Sequence, residues 1–219
     1  MVYSYPNRIM PLEAPPASIL LTRNVEETIS QTICKALGEF GLPGFASHAA
    51  LSIGYGRIIE STLWRVKISP ITKYIGYPYE TVIIDIPDLP KKYRDAIVAR
   101  AVTKYGKLYP FWELGFFFCD TLSTRILRGV GIMDDNQQVT LFTTRLIWKL
   151  VVCSQFVAWS YRGMPGGDLL RWGDERVKWN HVTPDHLWET GLNNPNWEVL
   201  FALHSALQVN PAAFSDLGR

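Results

Sequence analysis

The sequence has few of the features that point directly to a class of protein. Its 219 residues include three cysteines, an odd number without paired spacing, which argues against a disulfide framework and against a zinc site built on Cys-x-x-Cys. The 22 basic and 20 acidic residues give a net charge of +2 without a Lys/Arg cluster, so nucleic acid is not a predicted partner. The Gly-rich stretch GMPGGD is too short for a phosphate-binding loop, and neither a metal nor a cofactor is predicted.

Long apolar runs are also missing. The stretches FWELGFFFCDTL and LIWKLVVCSQFVAW are too short or carry a Lys, whereas a membrane-spanning helix needs about 18 apolar residues in succession. The first residues, MVYSYPNRIMPLEAPP, lack the charged start and apolar run of a secretory signal. The sequence therefore predicts a soluble protein without a membrane span, and it leaves open a cytoplasmic location or a place in a viral particle.

What the sequence does contain is enough apolar material for a sizeable core, at 47% hydrophobic and 13% aromatic residues. We expect a single α+β domain over residues 1–219, with residues 1–17 as an extended leader. Strand patterns with a period of two dominate residues 48–86, which suggests an antiparallel meander. Helical patterns are predicted after a cap at Asn24, after Pro90, after a Thr183 cap, and as an amphipathic helix within NWEVLFALHSAL.

A hairpin within that meander carries the first candidate site residues. His48 opens the strand HAALSI, and the turn GYG separates it from RIIEST. If Gly54 to Gly56 form a three-residue loop, Ala50 lies opposite Glu60, and Glu60 becomes the diagonal neighbour of His48 on the same face. A loop of two residues would turn Glu60 to the other face, so the predicted pair of His48 and Glu60 depends on the register.

Cys153 is the candidate nucleophile, because it lies where the apolar run KLVVCSQFVAW turns into a helical pattern. A helix that starts near Ser154 would place the sulfur at its amino end, where unpaired N–H groups favour a thiolate and can hold an oxyanion. A buried core cysteine is the alternative reading of the same pattern. Cys34 and Cys119 lie in apolar helical patterns and are predicted to be core residues.

Several other polar residues have weaker claims on a site. His181, His186 and His204 need no more than surface or packing roles. Tyr109, in the sequence KLYP, could offer a hydroxyl to an active site, but on the sequence alone a packing role is favoured.

The order of these segments resembles the circularly permuted branch of the NlpC-type, papain-like cysteine peptidase superfamily, which includes the YiiX and YaeF group and lecithin:retinol acyltransferase. The likeness rests on SILLT, SHAALSIGYGRIIEST, VIIDI, YGKLYP, VCSQFVAWSYRG and VTPDHLWE. In this branch the His precedes the Cys, and a polar residue follows the His by one hairpin. Glu60 lies 12 residues after His48, which fits that spacing.

The resemblance implies a papain-like fold, an antiparallel sheet or barrel packed against helices, with Cys153 as nucleophile, His48 as base and Glu60 as the residue that orients the base. The helix start, rather than the resemblance, points to N–H groups near Ser154 as those that would hold the oxyanion. The resemblance matches Tyr109, a second candidate for the substrate or oxyanion site, to a tyrosine often found before the Cys, although Pro110 replaces the acidic residue that commonly follows this tyrosine. Residues 111–150 exceed the usual connection and are predicted to be an elaboration beside the cleft. The lipoprotein signal of some relatives is absent.

Three functions are open at this point. The first is a cysteine hydrolase that cuts a peptide or amide bond, with bacterial cell-wall peptides as the substrate class that the resemblance favours. The second is a lipid acyltransferase or thioesterase that uses the same residues on an acyl substrate. The third is a papain-like component of a larger assembly, with protein partners, in which catalysis is incidental or lost.

Overall fold

The computed structural model of the protein describes residues 9–39, 44–62, 65–107, 152–164, 171–172, 175–176 and 182–203. Most strands of this part of the chain belong to one sheet of six strands. Two short strands pair separately. In chain order the strands are β1 (Ile19–Asn24), β2 (His48–Gly54), β3 (Arg57–Ser61), β4 (Val66–Pro70), β5 (Tyr79–Asp85), β6 (Arg171–Trp172), β7 (Glu175–Arg176) and β8 (Glu198–Leu203).

The described helices are few and short. The α-helices are α1 (Thr28–Glu39), α2 (Lys91–Val102), α3 (Val152–Tyr161) and α4 (Pro184–Asn193), and two 3-10 helices lie at Pro11–Glu13 and Ile71–Tyr74. Within the described ranges, none of these helices is long and apolar enough to cross a membrane.

The large sheet has the strand order β4-β3-β2-β1-β5-β8, and every neighbouring pair is antiparallel. The predicted α+β class is therefore confirmed. Side chains alternate between the two faces, and each face builds its own core. One face, which includes Leu51 and Ile59, packs against Phe156 and Val157 of α3 and against other helical residues. The other face packs against the two 3-10 helices and the residues beside them.

The β2–β3 hairpin has the predicted register, but it reaches that register by a different route. Ala50 lies opposite Glu60, whereas at the tip Gly54 lies opposite Arg57. The turn has two residues, Tyr55 and Gly56, both with positive φ, at 54° and 65°. A bulge between Ser52 and Gly54 adds one residue to β2 and so returns Glu60 to the face of His48. The expected three-residue loop was therefore wrong.

One segment that was predicted to be a helix is a strand in the structure. The segment NWEVLFALHSAL was predicted as a helix, but residues 198–203 form strand β8 beside β5. Val199 joins the core on the helical face, and Leu200 joins the core on the other face. When both faces of an element are buried, its apolar residues follow one another without alternation. Their spacing then does not distinguish a strand from a helix.

Asn24 does not cap α1 directly. It ends β1, and its side-chain oxygen accepts hydrogen bonds from the backbone N–H groups of Glu26 and Glu27 at 2.9 and 3.1 Å. The helix begins at Thr28. Asn24 therefore forms the turn between the strand and the helix.

Part of the predicted leader packs on the sheet. Pro11–Glu13 form a 3-10 helix, and Ala14 and Ala17 are buried. The predicted elaboration at residues 111–150 falls outside the described residues.

Candidate active site

His48 and Glu60 are in direct contact. His48 is the first residue of β2, and its Nε2 lies 2.9 Å from Glu60 Oε2. The His48 side chain is 21% exposed, while that of Glu60 is fully buried. The hairpin register thus makes them diagonal neighbours, as predicted from the sequence.

Cys153 lies on the other side of His48. It is the second residue of α3, which begins at Val152 rather than near Ser154, and it is 9% exposed. The side chain of His48 and the backbone N–H groups of Ala49 and Ser154 act on the sulfur and lower the pKa of the thiol. Since Glu60 engages Nε2 of the imidazole, Nδ1 is the nitrogen left to exchange a proton with the thiol.

The electrostatics of this pair favour its charged form. Burial opposes a thiolate at Cys153, but the charge of His48 and the hydrogen bonds to the sulfur lower the pKa of the thiol below its usual value. Burial likewise opposes an imidazolium at His48, but Cys153 and then Glu60 raise the pKa of the ring to about 9. The two groups titrate as a pair, and both shifts favour a thiolate at Cys153 and an imidazolium at His48.

Three further donors surround the Glu60 carboxylate, and sequence reasoning missed all of them. Ser69 Oγ donates to Oε1 at 2.6 Å, and Lys73 Nζ donates to the same oxygen at 3.2 Å. Tyr74 Oη donates to Oε2 at 2.5 Å. Ser69 could have been found from the register of β4, because Glu60 pairs with Lys67 and Ser69 is then a diagonal neighbour. Lys73 is brought back to the sheet by a 3-10 turn, for which no sequence signal was apparent.

The donors around Glu60 explain why its carboxyl group is ionised. Burial alone would favour a neutral Glu60, but the hydrogen bond and charge of His48, with the hydroxyls of Ser69 and Tyr74, hold the pKa of the carboxyl well below its usual range. Burial, together with the charge of Glu60, raises the pKa of Tyr74. Tyr74 therefore stays protonated and can donate.

Of the two predicted substrate or oxyanion residues, the structure describes Ser154 but not Tyr109. Ser154 is buried, and its hydroxyl donates to the carbonyl of Val182 at 2.7 Å, so that the side chain joins α3 to the segment before α4. Its backbone N–H is directed to the sulfur of Cys153. A role of Ser154 at the oxyanion would thus use its backbone. Tyr109 lies outside the described residues.

The remaining described histidine and cysteine have local roles. His186 is buried in the first turn of α4, where its Nδ1 accepts a hydrogen bond from the N–H of Thr183 at 3.0 Å. Cys34 is buried in α1 and hydrogen-bonds Ser47, and burial together with the charge of Asp185 raises the pKa of its thiol to about 11. His181, His204 and Cys119 fall outside the described residues.

A second buried carboxylate holds the backbone that leads into β2. Asp185 is fully buried, and it accepts hydrogen bonds from the N–H groups of Gly44, Phe45 and Ala46 at 2.9, 2.9 and 3.0 Å. Burial raises the pKa of Asp185 to about 6 in spite of these three donors. This contact fixes the chain two residues before His48.

In the part of the chain that the structure describes, no group of three His, Cys, Asp or Glu side chains is arranged to hold a metal ion. Comparison of the chain with models of known families, with curated proteins and with solved structures finds no match.

Proposed function

We propose that the protein is a cysteine hydrolase that cleaves a peptide or amide bond through a thioacyl intermediate on Cys153. The observation that carries the proposal is the continuous contact from the Cys153 thiol through His48 to the buried Glu60 carboxylate. A nucleophile, a base and a group that orients the base are the parts that acyl transfer on sulfur requires.

The reaction would begin from the charged pair. The Cys153 thiolate attacks the carbonyl carbon and forms a C–S bond, while N–H groups at the start of α3 stabilise the oxyanion. The imidazolium of His48 gives its proton to the leaving nitrogen, and the C–N bond breaks. A water molecule then attacks the thioester carbonyl, and His48 accepts the proton of that water. The C–S bond breaks, which frees the acid and restores the Cys153 thiolate.

The proposed fold is papain-like with a permuted order, since β2, which begins with His48, precedes α3, which begins beside Cys153. An antiparallel sheet packed against the cysteine helix is compatible with that architecture. The sequence resemblance to the permuted NlpC-type branch favours peptides of the bacterial cell wall as substrates.

The test is hydrolysis by the wild type and by two matched variants, Cys153→Ala and Cys34→Ala. Muropeptides and acyl esters serve as substrates, and products are identified by mass spectrometry. We expect wild type and Cys34→Ala to release products from muropeptides, and Cys153→Ala to lose at least about 1,000-fold in rate. Turnover of acyl esters alone would instead support a thioesterase or acyltransferase. Equal rates in Cys153→Ala and wild type would exclude catalysis by this thiol.

A further inference from the structure

The donors around Glu60 include a lysine side chain that the reaction scheme above does not use. Lys73, in the 3-10 helix after β4, donates to Glu60 Oε1 at 3.2 Å and to Tyr74 Oη at 2.7 Å. Tyr74 in turn donates to Glu60 Oε2 at 2.5 Å. The ammonium group therefore reaches both carboxylate oxygens, one directly and one through the tyrosine.

Tyr74 connects this cation to the imidazole as well. Its ring lies against His48, with ring centroids 5.6 Å apart, and Lys73 Nζ lies 4.4 Å from the centroid of the Tyr74 ring. Tyr79 of β5 packs edge-on against the same ring at 5.1 Å. The tyrosine is held on both sides, so its hydroxyl has a fixed direction toward Glu60.

We propose that Lys73 is a positioning residue that keeps Glu60 an ionised hydrogen-bond acceptor throughout the reaction cycle, including the steps in which His48 is neutral. This inference rests on the proposed function. His48 gives up its proton to the leaving group and later regains one from water, so for part of each cycle it carries no charge. In those steps Lys73 is the one cationic side chain, among those of the described residues, that hydrogen-bonds the fully buried carboxylate.

The charged and titratable groups around the site come from each element packed on it. His48 faces Cys153 of α3, Glu60 of β3 and Tyr74. Glu60 also faces Ser69 and, in the strand register, lies opposite Lys67. Among the described residues, Lys73 is the only Lys or Arg whose side chain hydrogen-bonds Glu60.

Removal of the Lys73 charge has a predictable sign. A positive charge near a titrating pair stabilises the thiolate and disfavours the imidazolium, so its loss raises the pKa of both Cys153 and His48. A side chain that served only as packing would leave both values in place. The Lys73 side chain is 35% exposed, which limits the size of the effect, because solvent screens the charge.

The experiment measures the rate of Cys153 alkylation by iodoacetamide from pH 4 to pH 10, with adducts located by mass spectrometry. Lys73→Met keeps the length of the side chain without its charge, and Lys73→Arg keeps the charge. We expect the Met variant to move both inflections of the profile upward by about half a pH unit to one unit, a loss of about 3- to 10-fold on the acid side. The Arg variant should follow the wild type.

A Met profile that superimposes on that of the wild type would overturn the proposal. Should the Met variant fail to fold, Lys73→Gln keeps a polar donor without charge, and the same upward shift is expected in it; a wild-type profile there would be equally decisive. Failure of the proposed function gives a different result. In that case Cys153 of the wild type is no more reactive than Cys34 at pH 6, whatever residue occupies position 73.

Discussion

Cys153 and Cys34 are equally buried, at 9% exposure each, yet the pKa values of their thiols move in opposite directions. Burial disfavours both thiolates. At Cys34 the charge of Asp185 adds to that effect, and the pKa rises to about 11. At Cys153 the imidazolium of His48 outweighs burial, and the pKa is lowered. Burial alone therefore does not decide whether a cysteine is reactive, and the charge of the group that faces the sulfur does.

Two buried carboxylates, Glu60 near Cys153 and Asp185 near Cys34, also have pKa values that move in opposite directions. Glu60 and Asp185 are both fully buried and both accept several hydrogen bonds. Burial would raise the pKa of Glu60, but the hydrogen bond and charge of His48, with the hydroxyls of Ser69 and Tyr74, lower it. Asp185 accepts from three neutral backbone N–H groups, and its pKa is raised to about 6. The interactions with His48, Ser69 and Tyr74 thus outweigh burial at Glu60, whereas the three N–H groups at Asp185 do not.

The largest effect is expected from His48→Gln, which removes the cation that acts on Cys153. Burial then acts on the thiol without the imidazolium, so its pKa should rise above the usual value. We expect alkylation of Cys153 at pH 6 to fall by at least about 100-fold.

Two controls accompany this variant. The alkylation rate of Cys34 and the thermal melting curve should stay near those of the wild type, because Ser69, Lys73 and Tyr74 still surround Glu60. An unchanged rate at Cys153 would show that His48 does not activate the thiol.

A smaller effect is expected from Asp185→Asn, which removes the negative charge near Cys34. The amide oxygen can still accept from Phe45 and Ala46, so most of the contact that holds the start of β2 is kept. Loss of the charge lowers the pKa of Cys34, and its alkylation at pH 9 should rise by about 2- to 5-fold.

The rate at Cys153, measured at pH 6, is the control for this second variant. It should not change, since Asp185 is not among the groups that shift the pKa of Cys153. A slower reaction at Cys34, or no change there, would contradict the role given to Asp185.

The part of the site that could be predicted from the sequence is the part that strand alternation determines. Strand alternation correctly predicted Glu60 beside His48. The predicted turn was wrong, but the bulge at Ile53 offsets the shorter turn and restores the same register. The letters GYG do not show whether the turn has two or three residues. Tyr55 adopts a positive φ, a conformation that favours glycine, so its place in the turn was not evident from the sequence.

The residues that the sequence did not reveal depend on folding between distant segments. Lys73 and Tyr74 reach Glu60 only because Ile71–Tyr74 fold back after β4 as a 3-10 helix. Asp185 meets Gly44 to Ala46 across about 140 residues of chain. The strand β8 was mistaken for a helix because both of its faces are buried. Such contacts follow from tertiary packing, which local periodicity does not encode.

The most direct test of the central claim is the ratio of alkylation rates at Cys153 and Cys34 in the wild-type protein as a function of pH. We expect Cys153 to react rapidly already at pH 6 and to show a second inflection near pH 9, where His48 loses its proton. Cys34 should stay slow until the pH approaches about 11. The ratio should therefore fall as the pH rises above 6. Parallel profiles for the two cysteines, with a common midpoint at or above that of an ordinary thiol, would contradict the claim that His48 makes Cys153 a nucleophile.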